Sequence, residues 1–302
     1  MKISVIVPVY NKKTLLPELI RSLLNQNFQG KYEIIIVDDG STDGTEDVFK
    51  NKRQNLTYVK QKNKGPAAAR NTGLKIACGN IVAFTDSDCI PDKRWLSELS
   101  KAFIEGVDGV EGRTITNGKI CPDSHHIKNL SGGMYLTSNI AFLKSSIKSG
   151  FDEKFRYPNR EDTEISYRLI KNGGKIVFNK NALVRHRLLK SSLLEMVKRK
   201  LYFESDVLLF KKNTRLYKKY IKFPFSLFMP GYFIFTIAGF FNNFIWFGLL
   251  LTTFIEIIYR KYCIRPASFV KFLLSETIGS FVNIYAVLNG CRKYRINPLR
   301  LL

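Results

Sequence analysis

The sequence predicts an α/β fold with a mostly parallel sheet that carries helices on both faces, followed by membrane-associated helices towards the C-terminus. Two observations over the first 115 residues predict the sheet. Short, almost wholly apolar runs end at Pro, Asp or Gly, and segments with apolar residues at helical spacing alternate with them. The tail is predicted by residues 223–255, which contain no charged residue. A spanning helix needs about 20 apolar residues, so this stretch is long enough for a membrane segment.

The strands and helices of the first half follow in chain order. Residues 3–7 form the first strand, and the segments YEIIIVDDG, LTYVK and NIVAFTD form the next three. Helices are predicted over residues 14–24, from an acid-rich start at residues 43–47, and around the alanines of residues 67–77. This alternation is typical of parallel sheets whose strands are joined by helices.

Polar residues follow three of these strands at the point where each one ends. They are Pro8, Tyr10 and Asn11 after the first strand, Asp38 and Asp39 after the second, and Asp86 and Asp88 after the fourth. The carboxyl ends of parallel strands share one rim, where such sheets bind ligands. Two carboxylates one residue apart at this rim repel each other unless a cation lies between them, although a solvated turn would also suit them.

Five segments in order carry a family resemblance: VIVPVYN, IIIVDDGSTDGT, NKGPAAARNTGL, AFTDSDC and REDTEISYRLIKNGGKI. With these segments at these spacings, residues 1–190 resemble the inverting glycosyltransferases of family 2, which have the Rossmann-like GT-A fold. The resemblance implies a nucleotide-diphospho-sugar donor bound at the rim together with Mg²⁺ or Mn²⁺.

The resemblance also implies which residues bind the nucleotide. Pro8 and Tyr10 would line the base pocket, and Asp39 would accept a hydrogen bond from the N3 hydrogen of a uracil-like base. A UDP-sugar is therefore the favoured donor, with another nucleotide as the alternative. Arg70 would lie near the nucleotide and its phosphates. Lys64 is a weaker candidate for the same role, since it also fits an exposed lysine of a Lys-rich loop.

Asp86 and Asp88 match the D-x-D motif of the family. By resemblance, Asp88 binds the metal directly, whereas Asp86 reaches the ribose or the water shell of the metal. A hard divalent cation held by oxygen ligands stabilises the negative charge that develops on the diphosphate leaving group. His186 would be a further metal ligand and would suit Mn²⁺ better than Mg²⁺. Without the resemblance, His186 fits a surface histidine.

The catalytic base is expected in the segment NREDTEISYRL. Ile165 and Leu169 are spaced to face the core, so Glu161 and Asp162 fall in the first turn of a helix. The helix dipole favours acids there, and an ordinary acidic helix start would explain both residues. The resemblance instead implies that Asp162 deprotonates the acceptor hydroxyl, with Glu161 as the reserve candidate. A single base opposite the leaving group implies one displacement and inversion at the anomeric carbon.

The acceptor side of the site is expected in the segment that follows the D-x-D motif. Residues 131–146 resemble the strand that closes the acceptor side in this family. Residues 114–130 are polar and turn-rich, and we expect a loop there that orders over the donor.

The formal charge of +23 is concentrated in the tail. Residues 187–222 contain eleven Lys and Arg among apolar residues at helical spacing, which predicts basic amphipathic helices at an anionic membrane surface. A nucleic-acid-binding patch is the competing interpretation. The uncharged stretch that follows favours the membrane, and no nucleic-acid partner is predicted.

The C-terminal region predicts membrane-associated helices. A hairpin over residues 223–258, turning at Asn242 and Asn243 and spanning or re-entrant, precedes an amphipathic helix over residues 267–290. Basic residues flank the hairpin on both sides, which predicts a membrane protein with its catalytic domain on the cytoplasmic side. The predicted regions are the GT-A domain at 1–190, interfacial helices at 191–222 and the hydrophobic region at 223–302.

The cysteines point to a reducing compartment. Five cysteines, an odd number, lie at wide and irregular spacings, which argues against a disulfide framework and against a zinc ribbon.

The combination of donor motifs and membrane tail predicts transfer of a sugar to a lipid-linked acceptor, either a polyprenyl phosphate or a growing lipid-linked or surface glycan. One alternative is a membrane-anchored or oligomeric transferase that acts on a non-lipid glycan or protein acceptor. Another is a non-catalytic scaffold subunit that binds nucleotide-sugars. Whether the chain forms a homo-oligomer is left open.

Overall fold

The computed structural model describes residues 1–50, 55–221, 229–239, 246–260, 262 and 265–300. The chain divides into two compact units. The first unit comprises Met1–Asn117 and Ile127–Arg187, and the second comprises Gly118–His126 and Leu188–Leu302.

The strands and helices of the described residues have the following bounds. The strands are β1 (Lys2–Val9), β2 (Lys31–Asp38), β3 (Leu56–Lys60), β4 (Ile81–Phe84), β5 (Cys89–Pro91), β6 (Gly109–Thr116), β7 (Ser124–His125), β8 (Ile140–Leu143), β9 (Ile176–His186) and β10 (Leu189–Lys190). The helices are α1 (Leu16–Leu24), α2 (Pro66–Ile76), α3 (Trp95–Ala102), α4 (Glu161–Lys171), α5 (Leu193–Arg199), α6 (Glu204–Tyr220), α7 (Met229–Gly239), α8 (Trp246–Tyr259) and α9 (Pro266–Tyr294). The acid-rich segment after β2 forms a short 3₁₀ helix, Thr45–Phe49.

The first unit contains an eight-stranded sheet in the order β3-β2-β1-β4-β8-β6-β9-β5. Strands β3, β2, β1 and β4 run parallel, and so do β6 and β9. Strand β8 is antiparallel to both of its neighbours, and β5 lies antiparallel on the edge beside β9. The predicted α/β fold with a mostly parallel sheet is confirmed, whereas the antiparallel direction of β8 and the edge strand β5 were not predicted.

Helices cover both faces of this sheet because successive side chains of a strand point to opposite sides. In β1, Val5 and Val7 are buried with the apolar side chains of α1 and α3, while Ile6 is buried on the other face with those of α2 and α4. Full burial of one such aliphatic side chain contributes about 1.5–3 kcal/mol. The near-continuous apolar strands of the sequence therefore reflect a sheet that is buried on both faces.

The strand predicted over residues 131–146 is shorter than expected. Only Ile140–Leu143 pairs in the sheet as β8. Gly132, Gly133 and Tyr135 have positive φ angles of 83°, 85° and 56°, and a backbone in the left-handed region cannot continue a strand. The first part of this segment is therefore a loop.

The second unit contains the helices α5 to α9 and the small antiparallel pair β7 and β10. Helix α5 begins with a capping box, in which Ser192 and Glu195 satisfy each other's backbone N–H groups. Helix α6 is kinked at Asn213, whose φ of −138° is non-helical. The long helix α9 packs against α5, α6, α7 and α8.

Helices α8 and α9 expose apolar residues and bury small and polar ones, which is the reverse of a surface helix in a soluble protein. Every exposed residue of α9 between positions 270 and 288 is apolar: Val270, Leu274, Ile278, Phe281, Tyr285 and Leu288. The buried side of α9 holds small and polar residues, among them Ser275, Glu276, Gly279, Ser280, Asn283 and Gly290. Helix α8 follows the same pattern, with Thr253 and Glu256 buried and Leu250, Leu251, Phe254 and Ile255 exposed.

Among the described residues, α9 is the one helix that is both long and apolar enough to cross a membrane, and the apolar segment Gly248–Tyr259 of α8 is shorter. The turn of the predicted hairpin at Asn242 and Asn243 lies outside the described residues, as do residues 223–228 at its start. Cys121 is disulfide-bonded, so the expectation of reduced cysteines is wrong for this residue. Its neighbours in the sequence gave no C-x-x-C or similar spacing from which the bond could have been predicted.

Candidate functional site

Residues from three strand ends meet at one rim of the sheet in the first unit. Strands β1 and β2 run in parallel register, with Val9 opposite Asp38, and Asp39 donates its backbone N–H to the carbonyl oxygen of Val9 at 2.8 Å. Pro8 lies in β1 opposite Val37, and Tyr10, just beyond the strand, is 49% exposed. The predicted base-pocket residues therefore lie at the carboxyl ends of neighbouring strands.

The carboxylate of Asp39 holds the loop that leads into α2. Its Oδ1 accepts hydrogen bonds from the side chain of Gln61 at 2.8 Å and from the backbone N–H of Lys64 at 2.9 Å, and its Oδ2 accepts from the backbone N–H of Gly65 at 2.8 Å. A carboxylate has about four acceptor sites, so Oδ2 keeps capacity for a further donor. Lys64 thus contributes through its backbone N–H, whereas its side chain was the group predicted to act.

Arg70, in α2, joins two of the predicted acids. Its guanidinium donates to Oε1 of Glu161 at 2.8 Å and to Oδ1 of Asp86 at 3.0 Å, and the side chain is only 4% exposed. Burial acts to lower the pKa of Arg70, but the charges of Asp86, Glu161 and Asp162 act more strongly in the opposite direction and the net shift is upward. Arg70 is therefore a buried cation that links the end of β4 to the start of α4.

Glu161 and Asp162 occupy the first turn of α4 as predicted, but in different environments. Glu161 is fully buried, and burial together with the neighbouring charge of Asp162 raises its pKa to about 7 against the lowering effect of Arg70. Asp162 is partly exposed; its Oδ1 accepts from the backbone N–H of Thr163 at 2.7 Å and its Oδ2 from that of Thr137 at 3.3 Å. Burial also raises the pKa of Asp162, although Arg70 and these N–H groups oppose the rise.

Asp88 and His186 lie beside each other because β5 pairs with the end of β9. The backbone N–H of Arg187 donates to the carbonyl oxygen of Asp88 at 2.9 Å, and Nε2 of His186 lies 3.4 Å from Oδ1 of Asp88. Burial raises the pKa of Asp88, an effect that His186 and Lys12 oppose and that the charge of Asp86 reinforces. The two aspartates of the motif are thus close enough to affect each other, as the sequence analysis expected.

The pairing of Asp88 with His186 suits a divalent cation. Nδ1 of His186 lies 2.7 Å from the carbonyl oxygen of Arg187, and a carbonyl can only accept, so Nδ1 carries the proton. In the neutral ring, Nε2 then presents its lone pair towards the Asp88 carboxylate, and two electron-rich atoms at this distance favour a cation or a proton between them. Cys89 also lies within this group, but burial raises the pKa of its thiol well above the ordinary value, so it stays neutral.

Three features of the first unit were not predicted from the sequence. Lys12 carries a charge that acts on Asp88, and the backbone N–H of Thr137 reaches Asp162 from the loop before β8. Glu111 is a buried carboxylate on β6. The available signals were a lysine two residues after Tyr10 and a single acid in the strand segment GVEGRTIT.

The sequence model of glycosyl transferase family 2 matches residues 4–191, which is more than half of the chain. Over 125 residues the chain is 38% identical to the glycosyltransferase AglE of Haloferax volcanii, and the match covers 38% of this chain and 41% of AglE. Over 94 residues it is 44% identical to the poly(ribitol-phosphate) beta-glucosyltransferase of Bacillus spizizenii, covering 29% of this chain and 15% of that protein. The chain thus spans less than half the length of these relatives.

Two solved structures share the fold across nearly the whole chain. The mannosyltransferase PcManGT from Pyrobaculum calidifontis, in complex with GDP-Man and Mn²⁺, has a TM-score of 0.59 at 17% identity and covers 94% of this chain and 87% of its own. TarS 1-349 from S. aureus has a TM-score of 0.54 at 20% identity and covers 98% and 91%. These similarities concern the fold alone, and they confirm the predicted GT-A architecture.

Proposed function

The chain belongs to glycosyl transferase family 2, and we propose that it transfers a sugar from a nucleotide-diphospho-sugar to a membrane-bound, lipid-linked acceptor with inversion at the anomeric carbon. A UDP-sugar is the favoured donor and Mg²⁺ or Mn²⁺ the cofactor. The proposal rests on two groups of residues near the same rim. Asp88 lies beside His186, and Asp162 lies close to Asp86 and Glu161, the two acids that Arg70 links.

The proposed donor site uses the ends of β1 and β2. Pro8 and Tyr10 would contact the base, and the remaining acceptor capacity of Asp39 favours a base with an N–H donor at that edge, as uracil has. TarS has been solved with UDP, and PcManGT with GDP-Man, so this fold serves more than one nucleotide. We assign UDP to this chain on the strength of Asp39.

The proposed metal site consists of Asp88 and His186, with Asp86 reaching the ribose or the water shell of the ion. When bound, the ion would neutralise charge that develops on the departing diphosphate. The Mn²⁺ of PcManGT supports a divalent cation on this fold, and the imidazole favours Mn²⁺ over Mg²⁺. The neutral tautomer of His186, fixed by the carbonyl of Arg187, orients Nε2 for this role.

The proposed base is Asp162 rather than Glu161. Asp162 is partly exposed, whereas the carboxylate of Glu161 is buried and accepts from Arg70. A raised pKa brings Asp162 closer to the working pH and improves it as a general base. Glu161 and Arg70 would then orient Asp162 and Asp86 across the rim. A single base that deprotonates the acceptor hydroxyl supports one displacement and an inverted product.

The proposed membrane association rests on the reversed surfaces of α8 and α9. Helices that are surrounded by lipid typically expose apolar residues and bury small and polar ones, as α8 and α9 do. In α9, the segment from Lys271 to Arg292 is about 30 Å long at about 1.5 Å per residue, close to the thickness of a bilayer core. Its one acid, Glu276, is buried and pairs with Lys200 at 2.5 Å. Basic residues near the apolar segments support a cytoplasmic catalytic unit.

A non-lipid acceptor is the second candidate. The name of the poly(ribitol-phosphate) beta-glucosyltransferase specifies a polymeric acceptor, and that protein is 44% identical to this chain over its matched segment. A membrane-anchored enzyme with such an acceptor would use the same donor site, base and metal. A scaffold subunit without activity is disfavoured because Asp86, Asp88 and Asp162 are all present in one cluster.

The test is a transfer assay on detergent-purified protein with Mn²⁺, a panel of UDP-, GDP- and dTDP-sugars, and either polyprenyl phosphate or poly(ribitol phosphate) as acceptor. We expect transfer from a UDP-sugar to polyprenyl phosphate with an inverted product, and loss of transfer but not of UDP binding in Asp162→Asn. Transfer to the polymer alone would establish the second candidate. A retained anomeric configuration, or full activity of Asp162→Asn, would contradict the proposed mechanism.

A further inference from the structure

Glu111 is a buried carboxylate to which the proposed reaction assigns no role. It lies on β6, an interior strand of the first unit, and is 1% exposed. Placing an acid in this position is costly unless its oxygens accept hydrogen bonds. Burial accordingly raises the pKa of Glu111, while the surrounding N–H groups oppose the rise.

Within the part of the chain that the structure describes, the hydrogen-bond donors to the Glu111 carboxylate all come from one loop, residues 129–135. Oε1 accepts from the side chain of Asn129 at 2.7 Å and from the backbone N–H groups of Met134, at 3.1 Å, and Tyr135. Oε2 accepts from the backbone N–H of Gly133 at 2.6 Å. Successive N–H groups that converge on one anion are typical of a loop with residues in the left-handed conformation. Gly132, Gly133 and Tyr135 are the left-handed residues of this loop. The loop is thus folded around the carboxylate.

The far end of this loop reaches the proposed catalytic base. Two residues after Tyr135, the backbone N–H of Thr137 donates to Oδ2 of Asp162. The ring of Tyr135 also makes an edge-to-face contact with Tyr167 of α4, the helix that begins with Glu161 and Asp162, at a centroid distance of 6.0 Å. The loop is therefore held by Glu111 at Asn129 and at residues 133–135, and by α4 at Tyr135.

The same loop presents two apolar side chains to solvent. Leu130 is 61% exposed and Met134 is 46% exposed, although both belong to a segment whose backbone is held in place by Glu111. An ordered loop with exposed apolar side chains next to a base is suited to contact the less polar part of an acceptor.

We propose that Glu111 is a positioning residue whose carboxylate fixes residues 129–135 as the acceptor-binding loop, with Leu130 and Met134 as its contact residues. This inference rests on the proposed function of Asp162. Glu111 does not touch the reacting atoms; it acts through the loop backbone and the N–H of Thr137. The loop should therefore govern acceptor use and leave donor binding unchanged.

The matched substitution is Glu111→Gln, which keeps the size but replaces one acceptor oxygen with an NH₂ group that faces backbone N–H donors. Asn129→Ala is the milder variant, because it keeps the carboxylate and its three backbone donors. It removes the hydrogen bond that Asn129 donates to Glu111 and the one that it accepts from the backbone N–H of Gly132 at 3.0 Å. The control is Glu98→Gln, since Glu98 is another buried acid of the first unit, and its side-chain partner among the described residues is the exposed Lys101, at 2.9 Å.

Hydrogen exchange measured by mass spectrometry is the first readout and needs no substrate. We expect faster exchange in the peptide that covers residues 130–137 of Glu111→Gln, a smaller increase in Asn129→Ala and none in Glu98→Gln. Unchanged exchange in Glu111→Gln would overturn the proposal, whether or not the wild type proves to be a transferase.

Steady-state kinetics with polyprenyl phosphate is the second readout. We expect kcat/KM for this acceptor to fall by about tenfold or more in Glu111→Gln, since misplacement of a bound group by about 1 Å can cost 10²-fold. The affinity for UDP should not change. An equal loss of UDP affinity would indicate general damage to the unit and would contradict a specific role in positioning the acceptor loop. If the wild type transfers no sugar at all, the proposed function fails and the exchange result alone decides the role of Glu111.

Discussion

Arg70 donates to Glu161 at 2.8 Å with both side chains buried, and this ion pair connects α2 to the first turn of α4. The same guanidinium reaches Asp86 at 3.0 Å. A buried ion pair of this kind adds little net stability compared with an apolar pair, but removing one partner leaves an uncompensated charge. The guanidinium of Arg70 therefore holds Asp86 and Glu161 in place, and its removal should lower the free energy of unfolding.

Replacing Arg70 with Met should lower the free energy of unfolding of the first unit by about 3 kcal/mol at about pH 8, because buried Glu161 is left without its cationic partner. The measurement is urea denaturation followed by tryptophan fluorescence in a Trp246→Phe background, so that buried Trp95 reports on the first unit alone. Arg185→Met is the control, since the Arg185 pair with Asp92 is longer, at 3.7 Å, and more exposed. A loss no greater than that of the control would contradict the buried-pair argument.

Glu161 should make the stability of the first unit fall as the pH rises. The folded-state pKa of about 7 lies above the ordinary value of 4.5, so between these values the folded state holds a proton that the unfolded state has released. Unfolding then becomes easier with rising pH, by up to about 3 kcal/mol for this group. In Glu161→Gln this contribution should be absent. We would compare the two proteins by urea denaturation at about pH 5 and about pH 8; parallel pH dependence in both would rule out the raised pKa.

Gly132 and Gly133 should respond differently to the same substitution. Both have a positive φ, so alanine at either position costs about 1 kcal/mol of backbone strain. A Cβ at Gly132 would also meet the ring of Phe178 at 2.9 Å, whereas one at Gly133 has open space around it. Gly132→Ala should therefore reduce acceptor turnover more than Gly133→Ala. Equal turnover in the two variants, measured with the same acceptor, would show that the loop does not depend on this close approach.

The outer face of α9 should contact lipid. The double variant Ile278→Asn with Phe281→Asn should lower binding to neutral phosphatidylcholine vesicles by about tenfold or more, because each change removes apolar area worth about 1.5–3 kcal/mol. Because the vesicles and the substitutions are both uncharged, electrostatic attraction does not contribute to the difference in binding. Ile104→Asn is the control, as Ile104 is an exposed apolar residue of the first unit. Flotation of the double variant at the wild-type level would refute lipid contact by α9.

The sequence predicted the parallel half of the sheet because its strands carry strong local signals. Apolar runs such as residues 34–37 can be buried only in a sheet covered on both faces, and the polar residues that follow them mark the rim. The length of strand β8 was predicted wrongly because the strand has only four residues. The preceding Gly132 and Gly133 did not indicate where the loop would end and the strand begin. The antiparallel position of β5 likewise depends on pairing with β9, nearly 100 residues away in sequence.

In the candidate site, too, residues in local motifs could be predicted from the sequence, whereas contacts between distant residues could not. Asp86, Asp88, Glu161 and Asp162 stood out because their residue types and spacing form motifs. Glu111 did not, because a single acid in a strand of mixed composition forms no motif, and its partners lie in a loop about 20 residues further on. The bridge that Arg70 makes between two acids is a tertiary contact and could not be read from spacing.

The most direct test of the proposed active site is Mn²⁺ binding and turnover in Asp88→Asn, compared with Asp92→Asn. Asp92 is a nearby acid of the same unit that pairs with Arg185 and has no role in the proposed site. Binding is followed by the electron paramagnetic resonance signal of free Mn²⁺, and turnover by release of UDP. We expect Asp88→Asn to bind Mn²⁺ about 10- to 100-fold more weakly and to lose transfer, while Asp92→Asn behaves as the wild type. Wild-type Mn²⁺ affinity and turnover in Asp88→Asn would contradict the metal-bound donor site.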